Sequence, residues 1–148
     1  MSRETDTGAE RVRASFEQQK VMATLGATLT RVAPGEVDIE LPFREDLTQQ
    51  HGFLHAGIVT TLLDSACGYA SYSLMPEGAA VLAVEFKVNL LSPASGERLI
   101  ARGRVLKSGR TLSVNCGEAF VVRDGKEKLV AVIQSTTIAL LDSPGLQG

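Results

Sequence analysis

Asp64 is the residue in this sequence whose position most strongly indicates chemistry. It is the only formally charged side chain between Asp46 and Glu77, and it lies in the most apolar stretch of the chain, 56–74. An ionised carboxylate in such surroundings is costly unless it is paired or faces water. Asp64 is therefore our leading candidate for a nucleophile or a general base. The structural alternative is a buried helix Asp that neighbouring Ser or Thr side chains satisfy.

A second candidate is the turn at His55, Ala56 and Gly57, which directly precedes a long apolar repeat. If that repeat is a helix, the peptide N–H groups of the turn are unpaired at its positive end. Such donors stabilise an oxygen that gains negative charge during a reaction, as in an oxyanion hole. Gly57 lets a substrate approach the backbone closely. The plain alternative is that Gly52 and Gly57 serve only a tight turn.

These two candidates are too far apart to act on one atom within a single chain. Asp64 follows Ala56 by eight residues, which corresponds to about 12 Å along a helix. A common catalytic centre therefore requires Asp64 from a second copy of the chain, with the two helices side by side in opposite directions. The spacing predicts a two-fold homodimer with two equivalent sites.

Metal and cofactor chemistry is not indicated by the sequence. His51 and His55 are four residues apart, but no Glu follows His51 and no third ligand is evident. Cys67 and Cys116 have neither metal-ligand nor redox spacing, which predicts two reduced, buried thiols. We expect no metal and no organic cofactor.

The elements that position these residues follow from the pattern of apolar side chains. Loosely helical spacing over 10–20 predicts a short N-terminal helix, and alternation over 25–41 predicts a β-hairpin. Apolar residues at intervals of three and four from Ala56 predict one long helix that ends near Met75. That helix is apolar on most of its faces and must be buried.

Four strands follow the long helix. Alternating side chains predict them over 82–90, 97–108, 111–123 and 126–141. In the first strand, we expect Leu82, Val84 and Phe86 on one face, and Lys87 and Asn89 on the other. Short connections between the strands indicate antiparallel neighbours. One long, curved antiparallel β-sheet wrapped around one central α-helix satisfies these elements, which is an α+β architecture.

The composition limits the class of protein. A chain of 148 residues with 44% apolar residues suits one compact domain. We expect a polar N-terminal segment with a short helix over 1–20, one domain over 21–141 and a tail over 142–148. The formal net charge of -2 and the scattered Lys and Arg give no electrostatic footprint for nucleic acid. No signal peptide or clean apolar run of about 20 residues is visible, so we expect a cytoplasmic protein without membrane partners.

The segment 51–66 resembles the signature of PaaI-like (phenylacetate-degradation) hotdog-fold acyl-CoA thioesterases. In that family a Gly-x-x-His-Gly-Gly turn leads into the central helix, and an Asp follows nine residues after the His. His55 and Asp64 keep this spacing. Further matches are Ser92-Pro93-Ala94, Gly103 and Ser108-Gly109-Arg110-Thr111. The resemblance covers 21–140, which is nearly the whole predicted domain.

The resemblance implies a hotdog fold, an acyl-CoA substrate and a homodimer that forms the active site, with two dimers in a homotetramer. It implies that Ala56 stands where the family has a Gly whose backbone N–H polarises the thioester carbonyl. Gln49 stands where related enzymes often place an Asn that holds the carbonyl or the attacking water.

A further set of residues is predicted to contact the substrate. Arg110 offers a guanidinium, which pairs well with the phosphates of coenzyme A, although a hairpin Arg is more often only solvated. The other candidates are Ser108, Gly109 and Thr111 in the same turn, Lys87 and Asn89 on the polar face of a strand, and Phe53. Phe53 lines either an acyl pocket or the core.

Three functions remain open on these residues. The first is hydrolysis of aryl- or medium-chain acyl-CoA thioesters to the free acid and CoA, with Asp64 as nucleophile or general base. The second is hydration or dehydration of an acyl thioester, in which His55 and Asp64 would transfer protons. The third is a non-catalytic acyl-CoA-binding module, since a fold does not fix a function. The glycine-containing turn and its spacing favour the thioesterase.

Overall fold

The computed structural model of the protein describes residues 3–146 and 148. Met1 and Ser2 of the predicted N-terminal segment and Gln147 of the predicted tail lie outside the described residues. In chain order the elements are α1 (Arg3–Gln18), α2 (Lys20–Leu25), β1 (Thr28–Ala33), β2 (Glu36–Pro42), a 3-10 turn (Glu45–Leu47), α3 (Ala56–Tyr72), β3 (Ala80–Leu90), β4 (Arg98–Ser108), β5 (Leu112–Arg123) and β6 (Lys126–Leu140). No helix in this part of the chain is long and apolar enough to span a membrane.

The six strands form one antiparallel sheet in the order β1-β2-β4-β5-β6-β3. The central helix α3 contacts five of these strands, and helix and sheet share one hydrophobic core. The predicted α+β architecture is confirmed, and the four strands after α3 begin and end within two residues of their predicted bounds. Because β3 is an edge strand, one side of its backbone pairs with no other described strand.

α3 lies close to the sheet because two glycines face it. Gly103 of β4 and Gly117 of β5 are register partners. A Cβ on Gly103 would lie 2.5 Å from the carbonyl carbon of Ala66, and one on Gly117 would lie 3.2 Å from Sγ of Cys67. The missing side chains let the helix backbone settle against the strands. This contact fixes α3 relative to the sheet, and with it Asp64 one turn earlier.

The N-terminal region differs from the prediction, because α2 occupies residues that were expected to begin the hairpin. Met22 and Leu25 are both buried and lie on one face of this short helix. The helix ends at Gly26, whose left-handed φ of 79° lets its N–H donate to the carbonyls of Met22 and Ala23. The prediction of a strand from Leu25 is therefore wrong, and the strand begins at Thr28.

β3 contains a bulge that changes which side chains share a face. The register with β6 shifts at Val84, which is the extra residue. Beyond a bulge the alternation of side chains is reversed. Leu82 therefore lies on the outer face of the sheet with Lys87 and Asn89, whereas Phe86 lies on the face toward α3. The prediction that Leu82 and Phe86 share one face is wrong.

The two cysteines are free thiols in different environments. Cys67 is buried between α3 and the sheet, and burial raises the pKa of its thiol to about 12. Cys116 is only partly buried, so its predicted full burial is wrong. The alternation of β5 explains the difference, since the buried Asn115 and Gly117 face α3 and Cys116 faces outward.

Candidate active site

The turn that starts α3 is held by its own histidine. His55 is the N-cap residue, and its Nδ1 accepts a hydrogen bond from the Gly57 N–H at 2.8 Å. A Cβ on Gly57 would lie 3.0 Å from that Nδ1 atom, so the glycine leaves room for the imidazole ring. The His55 carbonyl accepts from the Ile58 N–H at 2.9 Å, which begins the helix. His55 therefore fixes the geometry of the turn.

Ala56 offers the backbone donor that this cap leaves available. The Gly57 N–H is already used by His55, whereas the Ala56 N–H has no acceptor among the described residues. Ala56 is the first residue of α3, so its N–H lies at the positive end of the helix. It lines a cleft of about 540 Å³. This is the arrangement that binds an oxygen carrying negative charge.

Gln49 lines the same cleft. Its Oε1 accepts from the His51 N–H, its own N–H donates to the Phe53 carbonyl at 2.8 Å, and its carbonyl accepts from the Gly52 N–H at 3.0 Å. These hydrogen bonds lie within residues 49–53 and hold the loop in place. Because Oε1 of Gln49 is already used, its Nε2 group is the part of the side chain that can donate to a ligand. The cleft is otherwise walled by Gln50, Phe53, Leu54, His55, Val59, Leu90, Leu91, Ser92, Pro93, Ala94 and Val130.

Asp64 lies in a second, smaller cavity of about 130 Å³. Burial raises the pKa of its carboxyl above the ordinary value, and no charged group of the described residues offsets that effect. No described side chain or backbone group hydrogen bonds to its carboxylate. The remaining walls are Gln19, Ser65, Gly68, Tyr69, Val81, Ala83, Thr137 and Gly148. Asp64 is thus a partly buried carboxylate without an ionic partner among the described residues.

One chain does not bring Ala56 and Asp64 into a single cavity. The two cavities nevertheless share the edge strand β3 as a wall. Val81 and Ala83, near the start of β3, line the Asp64 cavity. Leu90 and Leu91, at its end, line the Ala56 cleft.

The predicted phosphate-binding turn lies at the Asp64 end of the sheet. Its four residues, Ser108, Gly109, Arg110 and Thr111, connect β4 to β5 and are exposed. The Gly109 N–H donates to the Leu112 carbonyl at 2.8 Å, which closes the turn. Ser113, just beyond it, pairs with Thr137, which lines the Asp64 cavity.

The other predicted substrate contacts divide between two sides of the sheet. Phe53 lines the Ala56 cleft. Lys87 and Asn89 instead line a separate groove of about 530 Å³, together with Cys116 on the outer face. The sheet separates them from Ala56 in this chain.

The sequence did not single out Gln19 and Gly68 as neighbours of Asp64. Gln19 reaches the cavity from the break between α1 and α2, and no local pattern indicates a contact across so many residues. Gly68 had a usable signal, because a glycine in the interior of a helix is unfavourable and indicates a special requirement for space.

The sequence of this chain is similar to those of known proteins. The family profile of the thioesterase superfamily matches residues 51–129. Human acyl-coenzyme A thioesterase 13 is 32% identical over 115 residues, which cover 76% of this chain and 81% of that protein. A putative esterase of Halobacterium salinarum is 31% identical over 116 residues, covering 75% of this chain and 76% of the esterase.

Two solved structures extend the comparison to the fold. A thioesterase family protein from Silicibacter pomeroyi has a TM-score of 0.89 and 57% identity, covering 90% of this chain and 98% of that one. The E. coli PaaI protein from the phenylacetic acid degradation operon has a TM-score of 0.82 at 21% identity, covering 92% of this chain and 95% of PaaI. The chain therefore belongs to the thioesterase superfamily and has the hotdog fold expected from its PaaI-like signature.

Proposed function

We propose that this protein hydrolyses acyl-CoA thioesters to the free acid and CoA, at sites formed between two copies of the chain. The observation that carries the proposal is the free Ala56 N–H at the start of α3, set in a cleft large enough for a ligand. An enzyme of this class needs a donor for the thioester oxygen and a carboxylate that acts at the same carbon. This chain contains both, in separate cavities.

The exposed edge of β3 supports the assembly that would unite them. Leu82, Val84 and Phe86 are 49%, 55% and 48% exposed along this strand, although all three are large and apolar. An unpaired, apolar edge strand is a template for pairing with another chain. If two β3 strands pair antiparallel about their midpoints, the Val81 end of one lies beside the Leu90 end of the other. The Asp64 cavity then opens toward the partner's Ala56 cleft.

The reaction in this site begins with the thioester carbonyl oxygen accepting from the Ala56 N–H and the Gln49 amide. The partner subunit's Asp64 then attacks the carbonyl carbon, or it removes a proton from the water that attacks. The C–S bond breaks and CoA leaves as a thiolate, which takes a proton from solvent water in the first route and from Asp64 in the second. By the first route, water hydrolyses the resulting anhydride. The raised pKa of Asp64 moves its carboxyl toward the range useful for a general base.

The substrate class is an aryl- or medium-chain acyl-CoA ester. The acyl-CoA name of the human relative and the origin of the E. coli structural relative in a phenylacetic acid degradation operon support this class. Arg110 and its exposed turn would bind the phosphates of CoA at the Asp64 end of the sheet. We further propose a homotetramer of two such dimers, as the sequence resemblance implies, located in the cytoplasm.

The test is free-thiol release from a panel of acyl- and aryl-CoA esters, with the parent protein and Asp64→Asn side by side. The proposal predicts turnover by the parent and a loss of about a hundredfold or more in the variant. Loss of enoyl-CoA ultraviolet absorbance without thiol release would instead identify a hydratase. Tight binding of CoA esters without either reaction would identify a binding module.

A further inference from the structure

The N-terminal helix α1 is anchored over the second half of α3. The Arg11 guanidinium donates to the carbonyls of Met75 at 2.9 Å and Pro76 at 3.2 Å, and its carbon lies 5.3 Å from the ring centre of Tyr72. Phe16 packs on Tyr69 with 5.9 Å between ring centres. These contacts hold the end of α1 beside the Asp64 cavity, which Tyr69 also lines.

Gln19 projects into that cavity from the break between α1 and α2. Its backbone leaves the helical region, with φ of -78° and ψ of 96°. Its Oε1 accepts from the hydroxyl of Ser65 at 3.2 Å, and Ser65 is buried directly next to Asp64 in α3. This hydrogen bond holds Oε1 of Gln19. The N–H groups on Nε2 are therefore the part of the Gln19 amide that can donate into the cavity. The two residues therefore hold a hydrogen-bond donor at the wall of the Asp64 cavity.

Gly68 keeps space open at the same place. It lies one helical turn after Asp64 and lines the cavity. Apart from its chain neighbours and the adjacent backbone of α3, no heavy atom of the described residues lies within 4 Å of the position that a Cβ on Gly68 would occupy. A water molecule takes about 30 Å³ in the liquid, so the cavity of about 130 Å³ has room for several.

We propose that Gln19 is a positioning residue, whose amide holds the water that completes thioester hydrolysis at Asp64. The inference rests on the proposed function, since both routes to hydrolysis require a water beside this carboxylate. In the direct route the water oxygen attacks the acyl carbon. A proton of that water passes to Asp64 and then to the departing thiolate. In the anhydride route the same water attacks the mixed anhydride, releasing the acid and regenerating the Asp64 carboxylate.

Few other groups near Asp64 can titrate and confuse a test by pH. On α3, the helix that carries Asp64, Tyr69 lines the cavity. The thiol of the deeply buried Cys67 also senses the charge of Asp64, which contributes to its raised pKa. The strands contribute Val81, Ala83 and Thr137, which carry no titratable group. Gly148 also lines the cavity and has no titratable side chain.

The first test compares Gln19→Leu with Gln18→Leu, a matched change at the neighbouring exposed residue of α1. We expect Gln19→Leu to lower kcat on the order of tenfold through misplacement of the water, with KM and Tm near the parental values. Gln18→Leu should leave kcat unchanged. A Cβ fits at position 68 without a clash. Gly68→Ala should therefore fold normally, but it should lower kcat because the added methyl group narrows the cavity.

The second test introduces a charge at position 19 and measures the pH dependence of kcat. A purely structural role of Gln19 would not change that dependence. Gln19→Glu places a carboxylate at the wall of the cavity, so it should raise the pKa of Asp64 and shift the acid limb of the kcat–pH profile upward. Gln18→Glu should leave that limb in place.

The outcomes separate this inference from the proposed function. A parent protein that hydrolyses no thioester would overturn both. An active parent that depends on Asp64, together with Gln19 variants of parental kcat and unshifted pH profile, would overturn only the role of Gln19. A fall in kcat that follows a fall in Tm would show that Gln19 is structural and would also overturn it.

Discussion

At the residue scale, Asp64 combines a stability cost with a proposed use. Burial raises the pKa of its carboxyl in the folded chain. Above that pKa the ionised group is less favourable in the folded protein than in the unfolded chain, where water solvates it. The cost decreases as pH falls through the folded pKa, and it is absent below the unfolded value. Such a cost is typical of residues retained for activity.

Asp64→Asn should therefore stabilise the protein while it removes activity. We expect Tm of the variant to exceed that of the parent at neutral pH, because the amide carries no charge to desolvate. The difference should shrink as pH falls, since the parental carboxyl is then protonated. Thermal unfolding of both proteins across this pH range measures it. A variant that is less stable than the parent at neutral pH would contradict the account.

The same residues show how far sequence could reach at this scale. Asp64 could be chosen as a candidate from the sequence because a lone charge in an apolar stretch is conspicuous. The sequence also predicted unpaired N–H groups at the start of the helix, but it did not reveal that the His55 ring accepts from Gly57 and leaves the Ala56 N–H available. Gln19 was invisible because its contact with Ser65 arises only from tertiary packing.

At the element scale, the position of α3 depends on its contact with two glycines. A Cβ on Gly103 would lie 2.5 Å from backbone of Ala66, and backbone in the middle of a buried helix cannot easily move away. The strand pattern predicted the sheet well because alternation and turn residues agreed along β4, β5 and β6. It failed at the Val84 bulge, which shifts the register with β6 without a distinctive sequence mark.

Gly103→Ala should destabilise the protein by about 1–3 kcal/mol, as expected for overpacking in a core. It should also reduce thioester hydrolysis, because α3 carries both Ala56 and Asp64. Urea unfolding monitored by circular dichroism measures the change. Gly68→Ala is the matched control for the stability measurement, because it adds the same methyl group where nothing outside the adjacent backbone of α3 lies within 4 Å. A Gly103→Ala protein as stable as the parent would show that α3 does not rest on this contact.

At the scale of the whole molecule, β3 decides whether the two cavities can become one site. It forms the edge of the sheet, exposes large apolar side chains and borders both cavities. The separation of Ala56 and Asp64 into different cavities of one chain was predictable from their eight-residue spacing alone. The surface that would join the copies was not predictable, because the order of the strands in the sheet does not follow their order in the chain.

A charge at the exposed edge should separate the copies. Val84→Lys places an ammonium on the unpaired, apolar edge of β3, which opposes strand pairing. We expect a smaller species by light scattering and a loss of thioester hydrolysis, with secondary structure retained. Leu106→Lys is the control, since Leu106 is a similarly exposed apolar residue on β4, away from that edge. An active Val84→Lys monomer would disprove the shared site.

The most direct test of the central claim is complementation between two inactive variants. Asp64→Asn removes the carboxylate. Ala56→Pro removes the N–H at the first helical position, where proline is tolerated, and the ψ of 139° at His55 suits a following proline. Ala56→Ser, which keeps the N–H, should remain active.

We expect each variant alone to lack turnover. In the experiment the two variants are dissociated, mixed and allowed to reassociate, and thiol release is then measured. If every site takes its turn from one subunit and Asp64 from the other, half of the dimers in an equal mixture contain one intact site. The account then predicts recovery of about a quarter of the parental activity. A mixture that exchanges subunits and stays inactive would show that each chain builds its site alone.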